Sequence, residues 1–155
     1  MSGALDSPGV RFPPPFLYAA AVAGGLILNR LWPLPVGRPA LATSIGAVLA
    51  LAGFGLMFGG IGVFWRSRTS ILPVRPASTL VIAGPYHFTR NPMYVGMAAV
   101  TVALGLILDT WWPILLLPPA LFLVQRLVIA REERYLLRRF PGQYEAYMRR
   151  VRRWL

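Results

Sequence analysis

The 155-residue sequence has no cysteine, no lysine, one histidine and only five acidic residues. The lack of cysteine excludes a disulfide scaffold. Charged residues make up 14% of the chain, against about 25% in typical globular proteins. Apolar side chains make up 56%, which excludes a disordered chain. A chain this short has too little interior to bury that much apolar surface in water. The composition therefore indicates an integral membrane protein.

All sixteen basic residues are arginine, and the formal net charge is +11. In a soluble protein this charge would suggest nucleic-acid binding. In a membrane protein, basic residues mark the cytoplasmic ends of spans and attract anionic lipid headgroups. We therefore expect anionic membrane lipids as partners, and neither nucleic acid nor a metal ion.

Four apolar stretches can cross a hydrocarbon layer of ~30 Å, which takes about 17–25 helical residues. The predicted spans are 16–32, 41–65, 92–108 and 111–130. The segment 66–91 is polar and proline-containing, and 131–155 is too charged to span. The predicted fold class is an all-α polytopic integral membrane protein with four transmembrane helices, a helical hairpin and a cytoplasmic C-terminal helix.

Arginine distribution predicts the orientation. Four spans bring thirteen arginines to one side, while Arg30 and Arg38 lie on the other. The positive-inside bias assigns the arginine-rich side to the cytoplasm. We expect a multi-pass protein of the cell's inner (plasma) membrane with both termini cytoplasmic. A cleaved signal peptide is disfavoured because the small residues 19–21 lie within the first apolar run.

Small residues and prolines in the spans suggest close packing and local distortion. Gly55 and Gly59 form a small-xxx-small pair that allows close helix approach, within the chain or in a homodimer. Gly96 leaves space beside the backbone for a ligand. Pro118 and Pro119 are expected to kink or loosen the fourth span, either as a packing feature or as an opening for a lipid-like substrate.

Two polar clusters flank the predicted hairpin. In the first, Arg90 precedes Asn91, which can cap a helix that starts at Pro92. The free N–H groups of such a start attract anions. The second, 131–134, contains Glu132 and Glu133, whose carboxylates can hold hydroxyl or amine groups of a cofactor. The hairpin returns it to the same side as the first cluster. An ion-paired helix start is the alternative interpretation of the second cluster.

Four motifs together resemble the isoprenylcysteine carboxyl methyltransferase family, which is related to the phospholipid N-methyltransferases. They are GPY at 84–86, RNPMYVG at 90–96, REE at 131–133 and FPGQYEAY at 140–147. The resemblance covers 66–155. It divides the chain into an N-terminal part with two spans, 1–65, and a methyltransferase core, 66–155.

This resemblance implies an integral membrane methyltransferase that uses S-adenosylmethionine, without a soluble Rossmann-like domain. It implies that Arg90 and Arg131 orient the acceptor, with Arg126 as an alternative to Arg131. The family usually has histidine where this chain has Asn91 and often where it has Ser78, and His87 is not at a motif position. The implied cofactor-binding residues are Thr79, Leu80, Val81, Tyr86, Asn91, Pro92, Met93, Tyr94, Glu132 and Glu133.

The acceptor is expected to be a lipophilic molecule that enters from the bilayer. A carboxylate or thiolate needs no general base, whereas an ammonium does, and the sequence offers no histidine at the motifs. O- or S-methylation is therefore favoured over phospholipid N-methylation. A membrane reductase that uses NADPH and a non-catalytic membrane scaffold remain alternatives.

Overall fold

The computed structural model describes residues 13–67 and 78–155. Within these residues the regular secondary structure is entirely helical. The elements are α1 (Pro15–Leu31), α2 (Pro39–Arg66), a 3₁₀ turn (Gly84–His87), α3 (Pro92–Ile107), α4 (Trp112–Val124), a π-helical turn (Gln125–Ile129), α5 (Ala130–Arg139) and α6 (Gln143–Arg150).

The four predicted apolar helices are present and start within two residues of their predicted positions. Each of α1, α2, α3 and α4 has proline in its first or second position, where the missing N–H removes no helical hydrogen bond. Two helices of the described chain are long and apolar enough to cross a membrane: α2 and the continuous helix Trp112–Arg139, with 28 residues each. Helices α1 and α3 are apolar but shorter, with 17 and 16 residues.

The apolar stretch predicted to end at residue 130 and the helix expected after it are one continuous helix. It continues without a break from α4 through the π-helical turn into α5, so the acidic pair lies on an extension of the same helix. Pro118 and Pro119 lie inside α4, and the helix widens to the π form a few residues later, from Gln125. After α5 the chain turns at Gly142, whose φ is 74°, and forms the separate helix α6.

Helices α2 and α3 pack with their backbones in close contact. A Cβ added to Gly53 would lie 2.7 Å from the carbonyl oxygen of Gly96, and one added to Gly96 would lie 2.6 Å from that of Gly53. Gly46 and Gly60, each seven residues from Gly53, are in close contact with the side chains of Ile107 and Met93 of α3. These contacts form because residues seven apart lie on nearly the same face of a helix.

Two expectations about glycine within the chain are therefore wrong, whereas a homodimer contact through Gly55 and Gly59 stays a prediction. A Cβ on Gly55 would meet nothing within 4 Å, and one on Gly59 would meet Pro85 of the 3₁₀ turn, so this pair does not form the α2–α3 contact. The space beside Gly96 is filled by α2 and is not open to a ligand. The prediction that α2 packs closely on another helix of the chain is confirmed, but through different glycines.

The bundle has two ends, which differ in chemistry. At the hairpin end, which joins α3 to α4, Trp111 N–H donates to the Leu34 carbonyl oxygen at 3.0 Å, and Gly37 N–H donates to Asp109 Oδ1 at 2.9 Å. The other end, here called the site end, contains the start of α3 and the whole of α5. Both predicted polar clusters therefore lie at one end of the bundle.

The bundle exposes an apolar surface. On α2, Leu51 is 74% exposed, and large apolar residues such as Val48 and Phe58 on the same helix are also exposed. Contiguous apolar surface of this kind is rare on soluble monomers and marks a protein or membrane interface.

Candidate functional site

The approach to α3 is fixed by the 3₁₀ turn that contains the GPY motif. Gly84 adopts a φ of 60°, which favours glycine. The ring of Tyr86 packs edge-on against Phe64 of α2, with centroids 5.6 Å apart. Tyr147 Oη donates to the Tyr86 carbonyl oxygen at 2.7 Å. Burial raises the pKa of Tyr147 to about 12, so its hydroxyl stays protonated and can donate. Helix α6 thereby holds the turn against the bundle.

Asn91 stands at the position that precedes the first turn of α3, as predicted, but its side chain does not cap the helix. Its Nδ2 instead donates to the carbonyl oxygen of Arg153 at 2.8 Å. Thr89 Oγ1 accepts a hydrogen bond from the Asn91 N–H at 3.2 Å and donates to the same carbonyl at 3.2 Å. The capping interpretation of the Asn91 side chain is thus wrong, because a carbonyl from a distant part of the chain takes its amide.

Tyr94 connects the two predicted clusters. Its hydroxyl donates to Glu132 Oε1 at 2.9 Å, across 38 residues of sequence. Tyr18 of α1 donates to the Tyr94 carbonyl oxygen at 3.1 Å. Tyr18 and Tyr94 belong to the buried core of the bundle, together with Val128 and Ile129 of the π-helical turn. The buried core of the bundle therefore supports this contact between the clusters.

Glu133 lies between two arginines. Arg90 Nη1 is 3.1 Å from Glu133 Oε1. Arg153 Nη2 is 2.6 Å from Oε2, and Arg153 Nε is 3.1 Å from Oε1. Glu133 is 8% exposed, so its charge is compensated inside the protein. Hydrogen bonding to Glu133 raises the pKa of Arg153.

The guanidinium of Arg90 has spare hydrogen-bonding capacity. Its Nε and Nη1 are buried and form no hydrogen bond with any described residue. Nη1 is close enough to Glu133 Oε1 for an ion pair, but the geometry of this contact is not that of a hydrogen bond. Buried donors of this kind cost free energy unless a partner is supplied, and a bound anion is one way to supply it.

The other predicted residues divide into those near the site and those outside it. Pro92 is fully buried at the helix start, and Met93 packs on Gly60 of α2. Leu80 packs against the cluster formed by Tyr144, Tyr147 and Val151. Val81 is also buried, whereas Thr79 is exposed. Arg131 is half-buried on α5, directly before the acidic pair.

Two further basic residues have clear surroundings. Arg126, the alternative acceptor-binding arginine, is exposed and lies over the ring of Phe122 at 5.3 Å, outside the cluster around Glu133. His87 is exposed, as expected from its position outside the motifs.

Sequence reasoning missed three residues that the structure brings to the site: Arg153, Thr89 and Tyr18. Arg153 was one of many arginines in a basic segment, and nothing in the spacing distinguished it. Tyr18 resembled a core aromatic of the first span. Thr89 lies next to a motif and is the only one of the three that a local signal could have indicated.

The cluster thus combines two carboxylates, a half-buried arginine, a side-chain amide and a tyrosine hydroxyl at one end of an apolar bundle. Carboxylates accept hydrogen bonds from hydroxyl and ammonium groups, and arginine donates to carboxylates. These residues are suited to binding a small polar molecule that carries groups of both kinds.

Comparison with known proteins identifies the family. Searches of curated proteins and of solved structures find no match. The family model described as phospholipid methyltransferase matches residues 41–143, which is more than half of the chain. The match includes most of α2, all of α3, α4 and α5, and both acidic residues of the cluster. This match supports methyltransferase activity, and the chain belongs to the phospholipid methyltransferase family.

Proposed function

We propose that this protein is an integral membrane enzyme that transfers a methyl group from S-adenosylmethionine to a lipophilic acceptor. The observation that carries the proposal is the hydrogen bond from Tyr94 to Glu132. It joins the start of α3 to α5, so the polar residues of both clusters form one site at a single end of the bundle. Family membership and the apolar helices support the membrane location.

The residues at the site fit the methyl donor. The carboxylates of Glu132 and Glu133 suit the hydroxyl and amino groups of the donor. The Asn91 amide and the Tyr86 turn complete the surroundings. When bound, S-adenosylmethionine supplies an activated methyl group on a sulfonium centre. The role of the protein is then to hold donor and acceptor in line and to exclude water.

The membrane arrangement that we propose has four spans, α1 to α4, with the site end facing the cytoplasm. Arg30 and Arg38 lie at the hairpin end, whereas the arginines of α5 and α6 lie at the site end. The positive-inside bias supports this orientation, and the same arginines would attract anionic lipids. Both chain termini are then cytoplasmic.

An apolar groove supports a lipophilic acceptor. It has a volume of about 430 Å³ and lies between α1, α2 and α3, with Tyr18, Val22 and Phe54 among its lining residues. Tyr18 also contacts Tyr94, so the groove begins beside the polar site. An acceptor with its chain in this groove would present its polar end to Tyr94 at the membrane surface.

We favour a carboxylate or thiolate as the methyl acceptor. Neither needs a general base, and Arg90 and Arg131 would orient such an anion. Phospholipid N-methylation is the second candidate, and the description of the matched family favours it. Methylation of lipid extracts with labelled donor, followed by base hydrolysis of the product, separates base-labile methyl esters from stable S-methyl and N-methyl groups, and the mass of the labelled product then separates the last two.

Binding of S-adenosylhomocysteine to the purified protein in detergent tests the proposed site. Glu133→Gln removes a negative charge that we assign to the site, and Tyr94→Phe removes a hydroxyl that we assign to it. We expect each to weaken binding about tenfold or more, since hydrogen bonds to charged groups contribute about 1.5–3 kcal/mol. Glu145→Gln, which neutralises an exposed carboxylate on α6, is the matched control and should bind normally.

The alternatives give different results in the same assay. A shift in melting temperature with a reduced nicotinamide nucleotide instead of S-adenosylhomocysteine would favour a reductase. No shift with either would favour a scaffold. Unchanged titration curves for both Glu133→Gln and Tyr94→Phe would refute the site assignment.

A further inference from the structure

The segment that follows α6 is bound to the same residues that we assign to the methyl donor. The Arg152 carbonyl oxygen accepts a hydrogen bond from the backbone N–H of Arg90 at 2.9 Å. The Arg153 carbonyl oxygen accepts from Asn91 Nδ2 at 2.8 Å and from Thr89 Oγ1 at 3.2 Å. The three residues that precede α3, 89–91, thus donate hydrogen bonds to the carbonyl oxygens of two consecutive residues, 152 and 153. We call residues 152–153 the strap.

The side chain of Arg153, the second residue of the strap, also binds Glu133. Both carboxylate oxygens of Glu133 accept from the guanidinium of Arg153, at 3.1 Å from Nε and 2.6 Å from Nη2. This is the bidentate arrangement in which arginine binds carboxylates most strongly. A hydroxyl or amino group of a ligand that approached the same face of Glu133 would have to take the place of Arg153.

We propose that the strap is a competitive gate: it occupies the methyl-donor site when the donor is absent, and donor binding displaces it. This inference rests on the proposed function, because it assumes that Glu133 and Asn91 bind the donor. Arg153 lies beyond the matched residues 41–143, so the family match does not itself assign this residue a role.

The contacts of Glu133 allow the strap to leave. Removing the only partner of a buried charge is strongly unfavourable, but Arg90 remains 3.1 Å from Glu133 when Arg153 departs. The side chain of Arg153 is 38% exposed, whereas that of Glu133 is 10% exposed. Arg153 therefore lies at the mouth of the site and can move into water, while Glu133 stays inside.

The local backbone also favours movement at this point. Helix α6 ends at Arg150, and Val151 is extended. The strap therefore has no helical hydrogen bonds of its own to break. Beyond it, Trp154 Nε1 donates to Gln125 Oε1 at 3.1 Å, so a second contact holds the segment near the bundle while the strap opens.

The first test compares Arg153→Ala with Arg149→Ala by titration with S-adenosylhomocysteine. Arg149 is an exposed arginine on α6, so its replacement changes the net charge equally. If the ligand binds only molecules in which the strap is open, the apparent affinity equals the intrinsic affinity multiplied by the fraction of open molecules. A strap that is closed most of the time therefore weakens the measured binding. We expect Arg153→Ala to bind about fivefold more tightly than the wild type, a factor in the range of one partly exposed ion pair. Arg149→Ala should match the wild type.

The second test needs no variant and so does not depend on how Arg153→Ala folds. Hydrogen–deuterium exchange is measured on the wild-type peptide that contains Arg90, with and without saturating S-adenosylhomocysteine. Displacement of the strap frees the Arg90 N–H from the Arg152 carbonyl, so exchange at this amide should become faster. A strap that instead closes over the ligand would make it slower.

The outcomes separate this inference from the proposed function. If S-adenosylhomocysteine binds the wild type but binds Arg153→Ala equally or more weakly, the gate is refuted and the proposed function stands. Slower exchange at Arg90 with ligand refutes the gate in the same way. If neither the wild type nor Arg153→Ala binds the ligand, both the proposed function and the gate are refuted.

Discussion

Alanine at Gly53 should force α2 and α3 apart, whereas alanine at Gly55 should not. A Cβ on Gly53 would lie 2.7 Å from the Gly96 carbonyl oxygen and 2.9 Å from Val100 Cγ2. A backbone oxygen can move away from this contact only if α3 itself moves. A Cβ on Gly55 would meet no atom within 4 Å. The two positions are two residues apart in one helix, so they form a matched pair.

The difference between the two variants can be estimated from this geometry. Each replacement gains about 1 kcal/mol of helix propensity, and this gain cancels in the comparison. Inserting a methyl group into a closely packed contact costs about 1–3 kcal/mol. Gly53→Ala should therefore be less stable than Gly55→Ala by about that amount. At about 2–4 °C per kcal/mol for a chain of this length, its melting temperature should be lower by at least about 2 °C.

Thermal unfolding in detergent measures this difference, and ligand binding connects it to the site. Since α3 begins at Pro92 and carries Tyr94, a shift of α3 also displaces the hydrogen bond to Glu132. Gly53→Ala should bind S-adenosylhomocysteine more weakly than Gly55→Ala does. Equal melting temperatures, or a lower one for Gly55→Ala, would refute the assignment of the close α2–α3 contact to Gly53.

Two further predictions concern the two ends of the bundle. Asp109 has a φ of 50° and accepts a hydrogen bond from the Gly37 N–H. Asp109→Val should therefore destabilise the hairpin by about 1–2 kcal/mol, whereas Asp109→Asn should be tolerated. Equal melting temperatures for the two variants would contradict this. Tyr147→Phe removes the donor to the Tyr86 carbonyl and should cost about 1 kcal/mol. A wild-type melting temperature for Tyr147→Phe would show that this hydrogen bond does not hold the turn.

Two arginines compensate the charge of the single carboxylate of Glu133. Glu133 is buried between Arg90 and Arg153, so its carboxylate is compensated even if one arginine leaves. A single partner would make departure costly, because an unpaired buried charge is strongly destabilising. The arginines that the sequence indicated as membrane-orienting thus include two with a specific position at the site, Arg90 and Arg153.

Several features could be predicted from the sequence because they depend on local patterns. Apolar runs separated by polar segments predicted the four helices, and proline at 92 predicted the start of α3. The short link between the last two apolar runs predicted the hairpin. Antiparallel helices joined by a short link must return the acidic pair to the level of Tyr94, and the hydrogen bond between Tyr94 and Glu132 agrees with this expectation.

Other features could not be predicted because they depend on which helix faces pack together. The glycines of α2 looked equivalent in sequence, and only the rotation of α2 against α3 decided that Gly53 is at the contact and Gly55 is not. The fusion of the last apolar stretch with the helix after residue 130 also could not be predicted, because charge at residue 131 can end a span without ending a helix.

The sequence by itself determined that this protein consists of apolar helices with a polar site at one end, because composition and helix periodicity are properties of neighbouring residues. Only the tertiary structure decided which polar groups meet there. Arg153 binds Glu133 across 20 residues and its carbonyl accepts from Asn91 across 62. Contacts over such separations depend on how α6 docks on the bundle, and no local pattern specifies that docking.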